Sequence, residues 1–278
     1  MKPPKFEYLR PASLDEALQM LAAHAPDAKP IAGGQSLVPM MNLRMAAPGF
    51  VVDIGRLDEL KGITIDSDDI HIGACVAQRT LLDHEDIRAH APLLVKAASH
   101  VGHVQTRARG TLGGSLSHAD PAAELCLAAL ALDARLRIRS VRGERECRVT
   151  DFFDGALMTT LEADELLCEI VIRKSAPASK SSFRELARRH GDFAVCSVAV
   201  QCDHGADDGV RAAIGGIRGT PYLLSSFAPD TPLKDALRTA LDVELEHLEM
   251  NSDLHASADY RRALSKVLLS ECIEEIAE

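Results

Sequence analysis

Two glycine-rich segments about eighty residues apart, Ala32–Gly33–Gly34–Gln35–Ser36–Leu37 and Gly110–Thr111–Leu112–Gly113–Gly114–Ser115–Leu116, constrain this chain more than any other feature. Each adjoins sequence with strand character. Glycine permits close backbone approach and left-handed conformations, and successive exposed amides form an anion-binding concavity. Such a pair suits one large anionic ligand of the nucleotide kind, gripped at two places.

The first segment is not the dinucleotide fingerprint, because its adjacent glycines run straight into Gln35–Ser36; nor is it a triphosphatase phosphate loop, since no Lys–Ser or Lys–Thr follows. Amides from Gly33 to Ser36, the Ser36 hydroxyl and the Lys29 charge nevertheless offer an anion site, and a tight turn that needs glycine only for geometry accounts for the same residues. In the second segment Thr111 and Ser115 supply hydroxyls around Gly113–Gly114. Asp120 either accepts a ribose hydroxyl or caps a helix opening at Pro121. His118 is a ligand contact or a structural loop residue. Arg107 and Arg109 either neutralise phosphate or pair with another subunit.

Around these segments the pattern is mixed. Ser13 with Glu16 predicts a capping box for a helix carrying Leu14, Ala17, Leu18 and Leu21, ended by Pro26 and Pro30. Ile63–Ile65 and Ile70–Ile72 across Asp66–Ser67–Asp68–Asp69 form a hairpin signal, and residues 51–54, 136–139 and 167–172 read as strands. Thr80 is expected to cap a short helix, residues 93–98 to form another, residues 121–132 a third, and residues 151–155 a loop with inward aromatics. No βαβ unit repeats, which favours an α+β fold over a doubly wound sheet. Residues 174–182, with Pro177 and four serines, mark the best boundary; beyond them residues 183–186, 195–202 and 210–217 read as strands, and 233–248 and 260–276 as helices.

A formal charge of −10, from 31 Lys and Arg against 41 Asp and Glu, argues against nonspecific binding to nucleic acid or to an anionic membrane. No apolar run is long enough to span a bilayer, and the first residues lack the apolar stretch of a signal peptide. The seven cysteines form no Cys-x-x-Cys pair, so they suggest buried free thiols rather than a disulfide framework, a zinc site or an iron–sulfur site. A cytoplasmic location is expected.

The long motifs carry a resemblance. Lys29–Pro30–Ile31–Ala32–Gly33–Gly34–Gln35–Ser36–Leu37–Val38–Pro39 and Gln105–Thr106–Arg107–Ala108–Arg109–Gly110–Thr111–Leu112–Gly113–Gly114–Ser115–Leu116–Ser117–His118–Ala119–Asp120–Pro121–Ala122–Ala123–Glu124 resemble the FAD-binding medium subunits of the molybdenum hydroxylases, the xanthine dehydrogenase and carbon monoxide dehydrogenase group. His190–Gly191–Asp192–Phe193–Ala194 and Ser257–Ala258–Asp259–Tyr260–Arg261–Arg262 extend the match to nearly the whole chain.

The resemblance implies a bipartite FAD domain of the vanillyl-alcohol-oxidase (PCMH) type over residues 1–173, with subdomains of about 1–55 and 56–173, and a small α+β domain over residues 178–278. FAD is then held noncovalently by residues 32–36 and 111–115, with Lys29, Leu37, His118 and Asp120 nearby and Asp192–Phe193 approaching the flavin ring. It implies no catalytic residue and no metal on this chain. A large molybdenum-cofactor subunit oxidises the substrate, a small subunit with [2Fe–2S] clusters relays electrons, and this chain's FAD passes them to an external acceptor. The expected assembly is a dimer of heterotrimers. A stand-alone flavoprotein oxidase and a noncatalytic assembly subunit are the alternatives. Thr106, Ala108 and Cys126 depart from the family pattern, which usually has an aliphatic residue, Asn and Pro there.

Overall fold

The computed structural model describes residues 2–203, 209–227 and 231–277. Its first module is β1 (Glu7–Leu9), α1 (Leu14–His24), β2 (Ala28–Ile31), α2 (Leu37–Asn42) and β3 (Phe50–Asp53), with the strands in the parallel order β1-β3-β2. Ser13 caps α1 by accepting from the Glu16 amide at 3.2 Å, whereas the Glu16 carboxylate reaches the Ala12 amide at 2.6 Å rather than that of Ser13. The cap is therefore displaced by one residue from a reciprocal box. Pro30 does not end the helix region; it lies on β2, an edge strand, where a missing N–H costs no ladder bond.

The second module holds an antiparallel sheet of order β4-β5-β10-β6-β7. β4 (Ile63–Ile65) and β5 (Asp69–Gly73) form the expected hairpin, with Ile63 opposite Ile72 and Ile65 opposite Ile70. The helices α3 (Gln78–Asp83), α4 (Glu85–His90), α5 (Pro92–His100), α6 (Val104–Arg107), α7 (Leu112–His118) and α8 (Glu124–Ala131) follow, then β6 (Arg135–Ser140) and β7 (Gly143–Arg148). A two-stranded pair, β8 (Phe153–Gly155) and β9 (Met158–Thr159), precedes β10 (Leu166–Arg173).

Two expectations change here. Thr80 lies inside α3, whose N-cap is Ala77 without a side-chain bond, and residues 153–155 are a strand rather than loop, although Phe152 is buried as expected. In both places tertiary pairing overrides a local turn signal: Gln78 N donates to the Gly110 carbonyl at 2.8 Å, starting α3 earlier.

The third module is the antiparallel sheet β11 (Lys180–Ala187), β12 (Ala194–Cys202), β13 (Val210–Gly215) and β14 (Tyr222–Leu223). Against it pack α9 (Leu233–Thr239), α10 (Leu245–His247) and α11 (Ala258–Ala277), and a π-helical turn over Ala240–Glu244 joins the first two. The expected helix over residues 233–248 is thus one helical path with a widened turn. Glu244, at the end of that turn, is held by Tyr222 Oη at 2.9 Å and the Ser226 amide at 2.8 Å. All seven cysteines are free thiols, six of them buried.

The cores run across the module boundaries. Leu14, Leu18 and Leu21 of α1 cluster with Leu166 and Cys168 of β10, and Phe183, Ala199 and Ala213 of the third sheet join the cluster around α5 and α8. The seam between the second and third modules also carries ionisable groups. His100 Nδ1 stands 3.2 Å from Glu185 Oε1, and Lys96 Nζ stands 3.0 Å from Glu275 Oε1.

Glu124, only 5% exposed, lies in the same region. Burial, helped by the Glu185 and Asp120 charges and opposed by its backbone hydrogen bond and His100, pushes its carboxyl up to about 7. A carboxyl raised in the fold binds its proton more tightly there than in the unfolded chain, so its contribution is complete below the ordinary carboxylate range and vanishes as pH rises through about 7. Glu124→Gln should therefore flatten part of the fall in thermal midpoint between pH 5 and 8, by an amount corresponding to roughly 3 kcal/mol of stability at most. Melting curves of parent and variant across that range check it.

Candidate cofactor site

The first glycine-rich segment is the turn that joins β2 to α2. Gly34 has φ +72°, a left-handed conformation that glycine adopts without strain. Val38 N donates to Gly34 O at 3.1 Å, Met40 N to Ser36 O at 3.1 Å, and Gln35 Nε2 to Gly33 O at 3.2 Å. Among the described residues the amides of Gly34, Gln35 and Ser36 donate to no protein carbonyl. They remain free for an anion. Leu37 opens α2 half-buried, and Lys29 is exposed on β2.

Beneath this turn the packing is backbone on backbone. A Cβ on Gly33 would stand 2.0 Å from the Arg109 carbonyl oxygen, so the first segment meets the entry to the second directly. A Cβ on Gly55 would stand 2.7 Å from Ala32 O. Gly55 is held by its amide donating to Asp53 Oδ1 at 3.0 Å, and Tyr8 Oη donates to the other oxygen of that carboxylate. Pattern reading missed Gly55, Asp53 and Tyr8, which support the turn from below.

The second segment differs from expectation. Gly113 and Gly114 belong to α7, not to an amide-lined loop, and the first amides of that helix have protein acceptors. Leu112 N bonds Val76 O at 3.0 Å, Gly113 N bonds Ala74 O at 2.9 Å, and Gly114 N bonds Thr111 Oγ1 at 3.0 Å. Thr111 is therefore a buried helix cap. Ser115 Oγ accepts from Gln78 Nε2 at 2.9 Å.

The two glycines divide the work. Gly113 faces inward, where a Cβ would come within 2.4 Å of the Ala74 Cβ; Gly114 is exposed, and a Cβ there would meet only the Thr111 side chain, at 2.7 Å from Oγ1. α7 ends half-buried at His118, with Ala119 in the left-handed region at φ +53°. Asp120 does not cap α8, which starts at Glu124 with Ala123 as N-cap. Its Oδ1 accepts from Ala122 N at 2.9 Å, a local turn ahead of the helix. The buried Cys126 thiol donates to Ser115 O at 3.3 Å, tying α8 to α7. Arg107 spends its guanidinium on the carbonyls of Val101 at 2.7 Å and Gly102 at 3.1 Å. Arg109 stays exposed.

The third module reaches the same neighbourhood. Gly191, at φ +85°, lies so close to His103 that a Cβ would stand 2.5 Å from its ring, and the His103 and His190 rings stack at 6.0 Å. Asp192 N donates to Arg189 O at 3.1 Å, and Phe193 follows with 66% of its surface exposed. Gly216 N bonds Pro121 O at 2.8 Å, fastening β13 to the Asp120 turn. Arg261 Nη1 donates to Val195 O and, at 2.6 Å, to Gly216 O, bracing these strand ends, while Arg262 Nη1 donates to the carbonyls of Leu245 and, at 3.0 Å, Leu248.

Comparisons with known proteins agree along the whole chain. The profile of the FAD binding domain in molybdopterin dehydrogenase matches residues 4–174, and that of the CO dehydrogenase flavoprotein C-terminal domain matches residues 181–276. Caffeine dehydrogenase subunit beta of Pseudomonas sp. (strain CBB1) is 39% identical over 289 residues, covering 100% of this chain and 97% of the relative. The carbon monoxide dehydrogenase medium chain of Hydrogenophaga pseudoflava is 32% identical over 279 residues, covering 98% and 97%. In a solved structure, carbon monoxide dehydrogenase from Hydrogenophaga pseudoflava lacking the Mo-pyranopterin moiety of the molybdenum cofactor, one chain superposes with a TM-score of 0.94 at 31% identity, covering 100% and 99%.

Close packing predicts an order of tolerance. Gly33→Ala and Gly113→Ala force backbone apart and should each lower the thermal midpoint by roughly 5 °C or more, the effect of about 2 kcal/mol in a chain of this size. Gly114→Ala disturbs only the Thr111 cap and should lower it by less, as about 1 kcal/mol would. Thermal melts by circular dichroism rank the three.

Proposed function

The chain belongs to the FAD-binding medium subunits of the molybdenum hydroxylases, and from that membership we propose which of its residues hold FAD and how it works within its complex. It is the flavoprotein subunit of an oxidoreductase, whose molybdenum and iron–sulfur centres lie on partner subunits. Bound FAD supplies the redox chemistry, taking up electrons and releasing them to an acceptor.

The residues present fit that group. The free amides of Gly34, Gln35 and Ser36 would receive the pyrophosphate, with the Ser36 hydroxyl and Gly33 beside them. Exposed Gly114 and the Ser115 hydroxyl would face the same group from the second segment. Thr111 would serve indirectly, through the helix it caps, and Gly113 by letting that helix settle onto Ala74. Ala32 and Leu37 bracket the first turn, Lys29 adds positive charge upstream, and His118 and Asp120 lie at the far end of α7. Asp192 and Phe193 would approach the flavin ring, a role that suits a large aromatic left exposed two residues after the Gly191 contact with His103. The observation that carries this assignment is the Gly33 to Arg109 contact, which joins an amide-rich turn to the entry of α7.

The proposal further divides the chain into residues 1–173, with subdomains of about 1–55 and 56–173, and residues 178–278. It places the chain with a large molybdenum-cofactor subunit and a small iron–sulfur subunit in a dimer of heterotrimers, in the cytoplasm. No helix among the described residues is long and apolar enough to cross a membrane.

The purified chain should carry about one releasable FAD per polypeptide. Flavin absorbance after denaturation measures it, and a chain that takes up no FAD sinks the proposal. Gly114→Val should weaken FAD retention about tenfold or more by filling the open approach to α7. Equilibrium dialysis of the variant against the parent checks that placement. Copurification with iron–sulfur and molybdenum subunits separates this function from that of a stand-alone oxidase.

A further inference from the structure

Gln78 packs against the second segment and is only 4% exposed. Its backbone amide donates to Gly110 O at 2.8 Å and its Nε2 to Ser115 Oγ at 2.9 Å. A Cβ on Gly110 would stand 2.6 Å from Oε1 and 3.0 Å from Nε2, so the carboxamide fits against Gly110 where no side chain exists. Oε1 is buried without a hydrogen-bond partner. A methionine or leucine would fill a similar volume and leave no orphaned oxygen, so packing alone does not account for glutamine here.

A serine hydroxyl has one proton to donate and two lone pairs. Serines within helices commonly return that proton to a carbonyl four residues back, as Ser265 does to Arg261 O at 2.7 Å and Ser270 does to Lys266 O at 2.9 Å. Ser115 does not. Its oxygen accepts from Gln78, and among the described residues nothing accepts its proton. The amides of Leu112, Gly113 and Gly114 are already engaged, which leaves this hydroxyl as a donor that α7 can offer an anion next in sequence to exposed Gly114.

We propose that Gln78 is a positioning residue that holds the Ser115 hydroxyl as a hydrogen-bond donor toward the FAD pyrophosphate. This rests on the assignment of residues 32–36 and 111–115 to FAD. Gln78 acts through Ser115 and does not touch the cofactor. By donating, its Nε2 occupies one lone pair of the hydroxyl and leaves the proton for the ligand, and charged acceptors gain most from such a donor.

The test is FAD titration of the full chain freed of flavin, followed by flavin fluorescence, together with the FAD-free thermal midpoint of each variant. Ser115→Ala and Gln78→Met should each weaken binding by about tenfold, and the double variant should bind no more weakly than Ser115→Ala alone. Gln78→Met should keep the parental midpoint or exceed it, because the orphaned oxygen is gone. Gln78→Glu, whose carboxylate draws the Ser115 proton to itself, should bind more weakly than Gln78→Met. Parental affinity in Ser115→Ala or in Gln78→Met overturns the proposal, as do losses that multiply in the double variant. If Gln78→Met does not fold, Gln78→Glu decides, and parental affinity there is equally fatal. A parent chain that takes up no FAD overturns the cofactor assignment itself, a separate result from a parent that binds while its variants fail to respond.

Discussion

The backbone contact between Gly33 and Arg109–Gly110 sets the distance on which the rest of the site depends. The first segment leaves a three-stranded parallel sheet and the second leads into a helix behind an antiparallel one, so nothing in local structure brings them together. Glycine at one face of the contact lets two main chains meet without a side chain between them. The same device recurs nearby. Gly55 admits Ala32 O and Gly73 admits Leu60 O, each closer than a Cβ would allow. Gly33 and Gly55 thus pin the end of the small parallel sheet, while α1 shares its apolar face with Leu166 and Cys168 of β10. A module of three short strands buries too little alone to fix such positions, and shared core supplies the difference.

Most of the element types were legible in the sequence because they rest on period and pairing. The hairpin at residues 63–72 and the strand around residues 136–139 follow from alternation, the strand at 195–202 from a largely apolar run, and α1 from its cap and its Leu14, Leu18 and Leu21 stripe. What stayed hidden depends on distant partners. Pro30 resembles a breaker until β2 proves to be an edge strand, and Thr80 resembles a cap until the Gly110 carbonyl recruits the Gln78 amide and starts α3 early. The site shows the same division. Two glycine pairs signal two ligand-facing turns, yet only the first keeps free amides, because Val76 and Ala74 accept from the second. Gln78 carries no signal at all: an isolated polar residue after a strand reads as surface, and only the folded chain buries it.

The late motifs act on the site without belonging to the cofactor loops. Arg261 joins the start of β12 to Gly216, and Gly216 in turn bonds the Pro121 carbonyl beside Asp120. Gly191 holds the Asp192–Phe193 turn against His103, just ahead of α6. The third module therefore braces the turn after the second segment and leaves Phe193 exposed. Its own core is separate over much of its volume, with Leu269, Cys272 and Ile273 of α11 packed on Cys196, Val198 and Val200. A module with an independent core and a few specific ties can be positioned by those ties without being built from the same layer.

The charge balance of the seam follows from that arrangement. α8 is buried on every side because it runs between the second and third sheets, so its first residue, Glu124, is carried into the interior with it. An ionised carboxylate there would face Glu185 from β11 and Asp120 from the preceding turn, with His100 of α5 the positive counterpart. His100 is already engaged by Glu185 Oε1 at 3.2 Å, and that hydrogen bond, outweighing burial, raises its affinity for a proton. A protonated His100 would pair with Glu185, leaving Glu124 in a poorly hydrated space without a cation of its own. The least costly state for the second carboxyl is to keep its proton, as the burial-driven upward shift of Glu124 indicates. The seam that braces the cofactor loops thereby favours a neutral Glu124.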